Sequence, residues 1–417
     1  MLDVVVIGAG HAGLAASRRL ADAGLDHVVL ERGEVGESWR AQRWDSFALN
    51  TPNRMNRLPG AGPDASDPDA FEPRDAWTAR LDRYAETHGL PVRRHTTVVR
   101  VERDGEAFLV SREPGDPIRA RNVIVAAGLI NVPRIPAIAD GLDRRVGRLT
   151  AGTYRRPDTL EPGAVLVVGS AQSGCQIAED LLDHGREVYL ATGTVGRLPR
   201  RMRGRDTLVW MTETGWMDER PADLPDPAMM RMPQPQISGV GPRGRTVSLQ
   251  SLAARGVQLL GRLAGVDGAT LGFGSDLAAH VRFADEMSRR MRADVDRHIA
   301  AAGLDAPPSD PDPADEPASD PEAFTGPAEL DLVDRGISTV IFTTGFNADL
   351  SWLRVPTLDE RGAPIHDEGR SPVDGLWFLG VPWMRQRKSG NIWGAMDDSA
   401  HVAGQIVRRS SGSAARR

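Results

Sequence analysis

Glycines at 8, 10 and 13 stand in the run Leu2-Asp-Val-Val-Val-Ile-Gly8-Ala-Gly10-His-Ala-Gly13, the G-x-G-x-x-G spacing that can hold a dinucleotide pyrophosphate. Gly8 permits a sharp turn, Gly10 lets the backbone approach the phosphates, and Gly13 lets helix and strand pack closely. The free N–H groups and positive end of the helix then face the phosphates. A second apolar run, His27-Val-Val-Leu-Glu31, ends in an acid about twenty residues on, where a ribose hydroxyl needs an acceptor. Strand, turn, helix and acid in register predict a nucleotide-binding start.

The pattern recurs at Ala164-Val-Leu-Val-Val-Gly169-Ser170-Ala171-Gln-Ser173-Gly174, followed by an apolar helical stretch and the strand Glu187-Val-Tyr-Leu-Ala-Thr192. Two such units about 160 residues apart read as an internal duplication. Ala171 replaces the middle glycine, and its methyl stands where backbone and pyrophosphate nearly touch. This second strand ends at Thr192-Gly193 without an acid, and Arg197, Arg200, Arg201, Arg203 and Arg205 follow. An acid would repel a 2′-phosphate, whereas a hydroxyl and one or two guanidinium groups would bind it. The first site is therefore expected to take FAD and the second NADPH; a solvated basic loop accounts for the remaining arginines.

The elements that must position these turns are legible in part. Gly36-Glu-Ser38-Trp39-Arg40-Ala-Gln-Arg43-Trp44 through Asn50-Thr51-Pro has aromatics, arginines and little periodicity, and reads as a loop that wraps something. Residues 60–75 read as an exposed loop and 76–88 as a helix. Asp104-Gly105 and Asp267-Gly268 each sit between apolar runs, the signature of a hairpin. Residues 206–245 carry aromatics, methionines and prolines and are expected to border a substrate cavity. Residues 276–302 read as one amphipathic helix stopped by Gly303, and 306–327 as a Pro- and Asp-rich loop. Strands closing on Ala127-Gly128, on Thr344-Gly345 and at Leu376-Trp-Phe-Leu-Gly380 complete the set, and Ser389-Gly390-Asn391 opens a last helix. Its positive end suits an electron-rich ring. The fold class expected is α/β with two Rossmann-like domains: an FAD domain over 1–157 that returns at 335–417, with an NADPH domain inserted over 158–334.

Composition bounds the function. The 417 residues are 40% hydrophobic and 26% charged with a net charge of −6, which suits two or three globular domains and argues against a nucleic-acid partner. Cys175 is the only cysteine, so neither a disulfide framework nor a C-x-x-C redox pair is available. With a strand opening at residue 2 and no apolar run of ~20 residues, the expectation is a cytoplasmic protein without a membrane span. The tail from Arg408 is polar and expected to fray.

With both turns, the Gly-x-Ser-Trp-Arg loop, the strands ending at Gly128 and Gly345, and the Lys388-Ser-Gly helix start, the chain resembles the flavin-containing monooxygenase superfamily. It is most similar to bacterial putative flavoprotein oxidoreductases and to the plant monooxygenases of auxin synthesis. The likeness covers residues 1 to about 205 and 335 to 405. It implies FAD contacts at Gly8, Gly10, Gly13, Glu31, Trp39, Val98, Gly128, Gly380 and Ser389, Gly390 and Asn391, and further cofactor contacts at Arg32, Ser38, Arg40, Thr51, Ala127 and Gly345. It places Gly169, Ser170, Ser173 and Gly174 against NADPH, with Thr192 and Arg197 for the 2′-phosphate. The family run F-x-G-x-x-x-H-x-x-x-[FY] survives only at Tyr154; Arg144, Val146 and Thr150 stand for Phe, Gly and His.

The resemblance implies that NADPH reduces FAD, that oxygen adds at C4a, and that the resulting hydroperoxide passes one oxygen atom to a small organic substrate. Asn50 is the candidate to hydrogen-bond that group, and Trp383 and Lys388 the candidates to line the flavin pocket. No metal site, paired acids or Ser-His-Asp spacing competes, and the isolated histidines read as structural. Relatives often pair, so a homodimer is expected. Two other readings are an NAD(P)H oxidase or reductase that only passes electrons, and a non-catalytic nucleotide sensor with a dead second site.

Overall fold

A computed structural model describes residues 1–62, 67–237 and 244–414. Residues 63–66 of the expected 60–75 loop, 238–243 of the 206–245 stretch and 415–417 of the tail lie outside the described residues.

The fold is mixed α/β. Val4, Val5 and Val6 are fully buried in the opening strand Leu2–Ile7. A strand buried on both faces needs apolar residues without alternation, and each such side chain contributes about 1.5–3 kcal/mol on burial. It pairs in parallel with His27–Leu30 on one side and Ile118–Val125 on the other. The sheet has seven strands. Its outer part is the antiparallel meander Thr97–Asp104, Ala107–Glu113 and Ile118–Val125, turned at Gly105 with φ +62° as the Asp-Gly signal predicts. Leu376–Phe378 returns from the far end of the chain to pair in parallel with Ile118–Val125.

The second sheet has five parallel strands in the order Gly147–Thr150, Ile337–Phe342, Ala164–Val168, Val188–Ala191, Gln258–Leu260. Gly147–Thr150 precedes residue 157 and Ile337–Phe342 follows residue 334, so this sheet draws strands from outside the 158–334 stretch. Gln258–Leu260 belongs to it, whereas Leu263–Asp267 forms the Asp-Gly hairpin with Thr270–Phe273. Leu277–Ala302 is one helix, capped by Gly303 at φ +62°. Within the aperiodic 206–245 stretch, Thr207–Glu213 is a short helix because the Asp206 carboxylate accepts the Leu208 N–H at 2.9 Å.

Candidate functional site

The first turn is built by close approach. A methyl on Gly8 (φ +102°) would stand 2.5 Å from the Ala126 carbonyl oxygen, and one on Gly13 would collide with the Gly8 carbonyl. Both positions therefore exclude a side chain. Gly10, at the cap of the opening helix His11–Asp22, would meet nothing within 4 Å, and neither would Gly128 (φ +74°). These two glycines face open space, the arrangement a pyrophosphate needs.

Glu31 is buried; its carboxylate accepts the Ala9 N–H at 2.7 Å and the Gly33 N–H at 3.1 Å. A cleft runs along this turn. Gly8, Gly10, Glu31, Arg32, Ser38 and Trp39 line it together with Ala127, Gly128, Gly380 and Gly390. The wrapping segment is thus part of the site, with Trp39 on the short helix Glu37–Ala41 rather than in a loop.

Two groups in this cleft were not singled out by sequence reasoning. His11 has a buried Nε2 without a partner among the described residues, and burial pushes its pKa down to about 4. The Arg43 guanidinium stacks 5.5 Å from the Trp39 ring, 5.6 Å from Phe47 and 5.8 Å from Phe346. It donates to the Gln42 carbonyl at 2.8 Å, no carboxylate among the described residues pairs with it, and burial pushes it down to about 10. A guanidinium held on aromatic faces without an acid is suited to an anion. Its spacing of four from Trp39 was the available signal.

Other expected residues are engaged elsewhere. Arg40 pairs with Asp82 and donates to the Val35 carbonyl at 3.1 Å, Thr51 donates to Asn56, and Val98 is buried within its strand. The Lys388 ammonium is held 2.8 Å from both Asp218 and Asp397, so it is a structural tie rather than a free cation. Ser389 accepts the Arg385 N–H at 3.1 Å and the Gln386 N–H at 3.2 Å, fixing the turn before Gly390 and Asn391. Trp383 is buried with φ +58°.

The second turn repeats the first. Gly169 has φ +109°, and a methyl on Gly174 would collide with the Gly169 carbonyl. Ala171 has φ −75° and ψ −176°, against −76° and −177° at Gly10. The matched backbone carries the Ala171 methyl into the space that Gly10 leaves open. Ser170 is buried and accepts the Gly193 N–H at 3.0 Å, while Ser173 is half-buried on the helix Gln172–Asp183. Gly345 has φ +92° beyond the strand Ile337–Phe342.

Thr192 and Arg197 are not free for a 2′-phosphate. The Thr192 hydroxyl donates to the Leu260 carbonyl at 2.7 Å and shares a bond of 2.9 Å with His280 Nδ1. Arg197 is 1% exposed and ion-paired with Asp315 and, at 2.7 Å, with Asp285. An exposed cation at this edge is Arg262, whose guanidinium donates to the Thr194 hydroxyl at 3.2 Å and lies 3.8 Å from the Asp276 carboxylate. Asn50 joins the two halves: its Oδ1 accepts from Gln176 Nε2 at 3.0 Å, and its carbonyl accepts from Arg200 at 2.9 Å. Gln176 lies on the helix that starts at the second turn, and its buried Oε1 has no partner among the described residues.

Comparison with known proteins agrees with this geometry. A family model described as pyridine nucleotide-disulphide oxidoreductase matches residues 5–203. The chain is similar to the uncharacterized oxidoreductase CzcO-like of Geobacillus kaustophilus, 29% identical over 98% of this chain and 99% of that one. It is similar over a shorter span to the indole-3-pyruvate monooxygenase YUCCA4 of Oryza sativa subsp. japonica, 31% identical over 56% of this chain and 60% of that protein. A solved flavin-containing monooxygenase from Stenotrophomonas maltophilia shares the fold with a TM-score of 0.68, at 21% identity over 98% of this chain and 99% of that one. The chain is similar to members of the flavin monooxygenase superfamily. It is an oxidoreductase.

Proposed function

We propose that this chain is an FAD- and NADPH-dependent monooxygenase that inserts one oxygen atom of O2 into a small organic substrate, at a nitrogen, sulfur or carbon centre or beside a ketone. The observation that carries the reading is the pair of matched turns, Gly8–Gly13 and Gly169–Gly174, bridged by the Asn50–Gln176 hydrogen bond. In this reading the seven-stranded sheet is the core of a discontinuous FAD domain and the five-stranded sheet that of the inserted NADPH domain.

Bound FAD, reduced by NADPH, supplies the redox chemistry and the activation of oxygen. The chain's own residues bind and orient. Gly10 and the first N–H groups of the opening helix take the pyrophosphate, and Glu31 accepts the ribose hydroxyl. His11 stays neutral at physiological pH because burial opposes its charging. Arg43 brings positive charge to the cleft, where phosphate or a reduced ring is anionic. Asn50 holds its amide at the meeting of the two halves, positioned by Gln176. Arg262 and Thr194 are the residues proposed to contact the 2′-phosphate, in place of Arg197 and Thr192.

A second reading is an NAD(P)H oxidase, and the Ala171 methyl favours it by loosening the second site's hold. Disulfide chemistry, which the matching family's description includes, has no dithiol here because Cys175 is the only cysteine. The deciding experiment is NADPH oxidation by the flavin-loaded protein under labelled dioxygen, with product label and hydrogen peroxide both measured. The account expects label in a substrate-derived product. Consumption of NADPH with all oxygen recovered as peroxide, across a panel of amines, sulfides and ketones, would assign the oxidase reading.

A further inference from the structure

We propose that the cavity between Trp383, the helix Leu277–Ala302 and the segment 216–235 is the substrate chamber, and that it takes a neutral, apolar molecule of one or two rings rather than a carboxylate. This rests on the monooxygenase reading above. The cavity has a volume of about 390 Å³, toward the lower end of small-molecule sites. Its walls include Trp216, Met229, Met232, Pro233, Met287 and Trp383. Thioether and indole surfaces give an adaptable lining that attracts aromatic edges and faces without asking for a hydrogen bond.

The chamber abuts the glycine-turn cleft. Pro382 lines that cleft and Trp383, the next residue, lines the chamber, so one loop has a face in each. Trp383 is held at φ +58°, where a bulky residue pays strain that its surroundings must overcome. The Arg387 guanidinium lies 4.5 Å from its ring and 3.7 Å from that of Trp216, closing the two indoles around one cation.

The charges at the walls are already matched. Arg387 donates to the Glu219 carboxylate, with Nε at 3.0 Å. Arg290 lies 2.6 Å from Glu286, and Asp294 is paired with Arg297. A carboxylate entering the chamber would lose its hydration and find no uncompensated cation to replace it. A neutral ring system meets no such penalty.

The proposal is tested by calorimetric titration of the flavin-loaded protein with indole and with indole-3-acetate at one pH, repeated on Glu219→Gln and on Met229→Trp. Indole is expected to bind at least about ten-fold more tightly than indole-3-acetate. Glu219→Gln releases the Arg387 charge and is expected to strengthen indole-3-acetate binding several-fold while indole is unchanged. Met229→Trp, which fills the chamber, is expected to weaken indole about ten-fold at an unaltered melting temperature. Equal or tighter binding of indole-3-acetate to the unaltered protein would overturn the proposal, as would indole affinity indifferent to a folded Met229→Trp. Should Met229→Trp fail to fold, the acid-to-neutral ratio in Glu219→Gln decides alone. The titration needs no turnover. Flavin uptake is read separately by absorbance, so a failure of the monooxygenase reading is distinguishable from a failure of the chamber.

Discussion

Asp398, in the closing helix Gly394–Ala414, has a carboxyl that is 2% exposed, and its Oδ2 has no partner among the described residues. Burial pushes its pKa up to about 6, against smaller opposing effects from the Ser389 hydroxyl, Arg385 and Lys388, while Asp397 adds to the rise. Because the folded chain holds this proton more tightly than the unfolded one, the group's stabilising contribution is full below the ordinary carboxylate pKa of about 3.9 and is lost as pH rises through about 6. Removing the ionisable group should therefore help most at high pH. Asp398→Asn is expected to gain stability relative to the parent between pH 4 and 7, by at most ~3 kcal/mol. Denaturant unfolding at the two ends of that range measures it, and a stability difference constant with pH would contradict the assignment. At this scale the sequence was readable where backbone geometry depends on local spacing, as at the turn glycines Gly8 and Gly13. It was silent where a residue's state depends on distant partners. Arg197 is captured by Asp315, 118 positions away, and Lys388 by Asp218, so neither commitment could be read along the chain.

Among the elements, strands and hairpins followed their signals because those signals are local. Asp104-Gly105 and Asp267-Gly268 turn as their residue types demand, with φ +62° and +60° at the glycines. The apolar run before Asp267-Gly268 holds two short strands with different partners: Gln258–Leu260 joins the parallel sheet and Leu263–Asp267 the hairpin. The second turn, Gly169–Gly174, leads into the helix Gln172–Asp183. Its backbone matches the first turn, so the Ala171 methyl is the difference that stands toward the ligand. Ala171→Gly is expected to lower KM for NADPH about two- to ten-fold, roughly 0.4–1.4 kcal/mol, with a smaller change in kcat. Steady-state kinetics at saturating oxygen would show it; an unchanged KM would mean that the methyl is clear of the pyrophosphate.

Over the whole molecule, duplication was legible because the same strand–turn–helix pattern is written twice. The division between the halves was less so. Gly147–Thr150 and Ile337–Phe342 pair with each other across nearly 200 residues of chain, and nothing local to either records that partnership. The cavity at Trp383 is likewise a product of assembly, since its walls come from segments near residues 200, 230, 290 and 385. In the proposed reading the two sheets carry a pair of nucleotide cradles, tied by the Asn50–Gln176 hydrogen bond. The most direct measurement is the visible spectrum of the purified chain after incubation with FAD, followed by anaerobic addition of NADPH. The account predicts a yellow protein that retains flavin through gel filtration and is bleached by NADPH. A chain that stays colourless, or one that holds flavin NADPH cannot reduce, would contradict it.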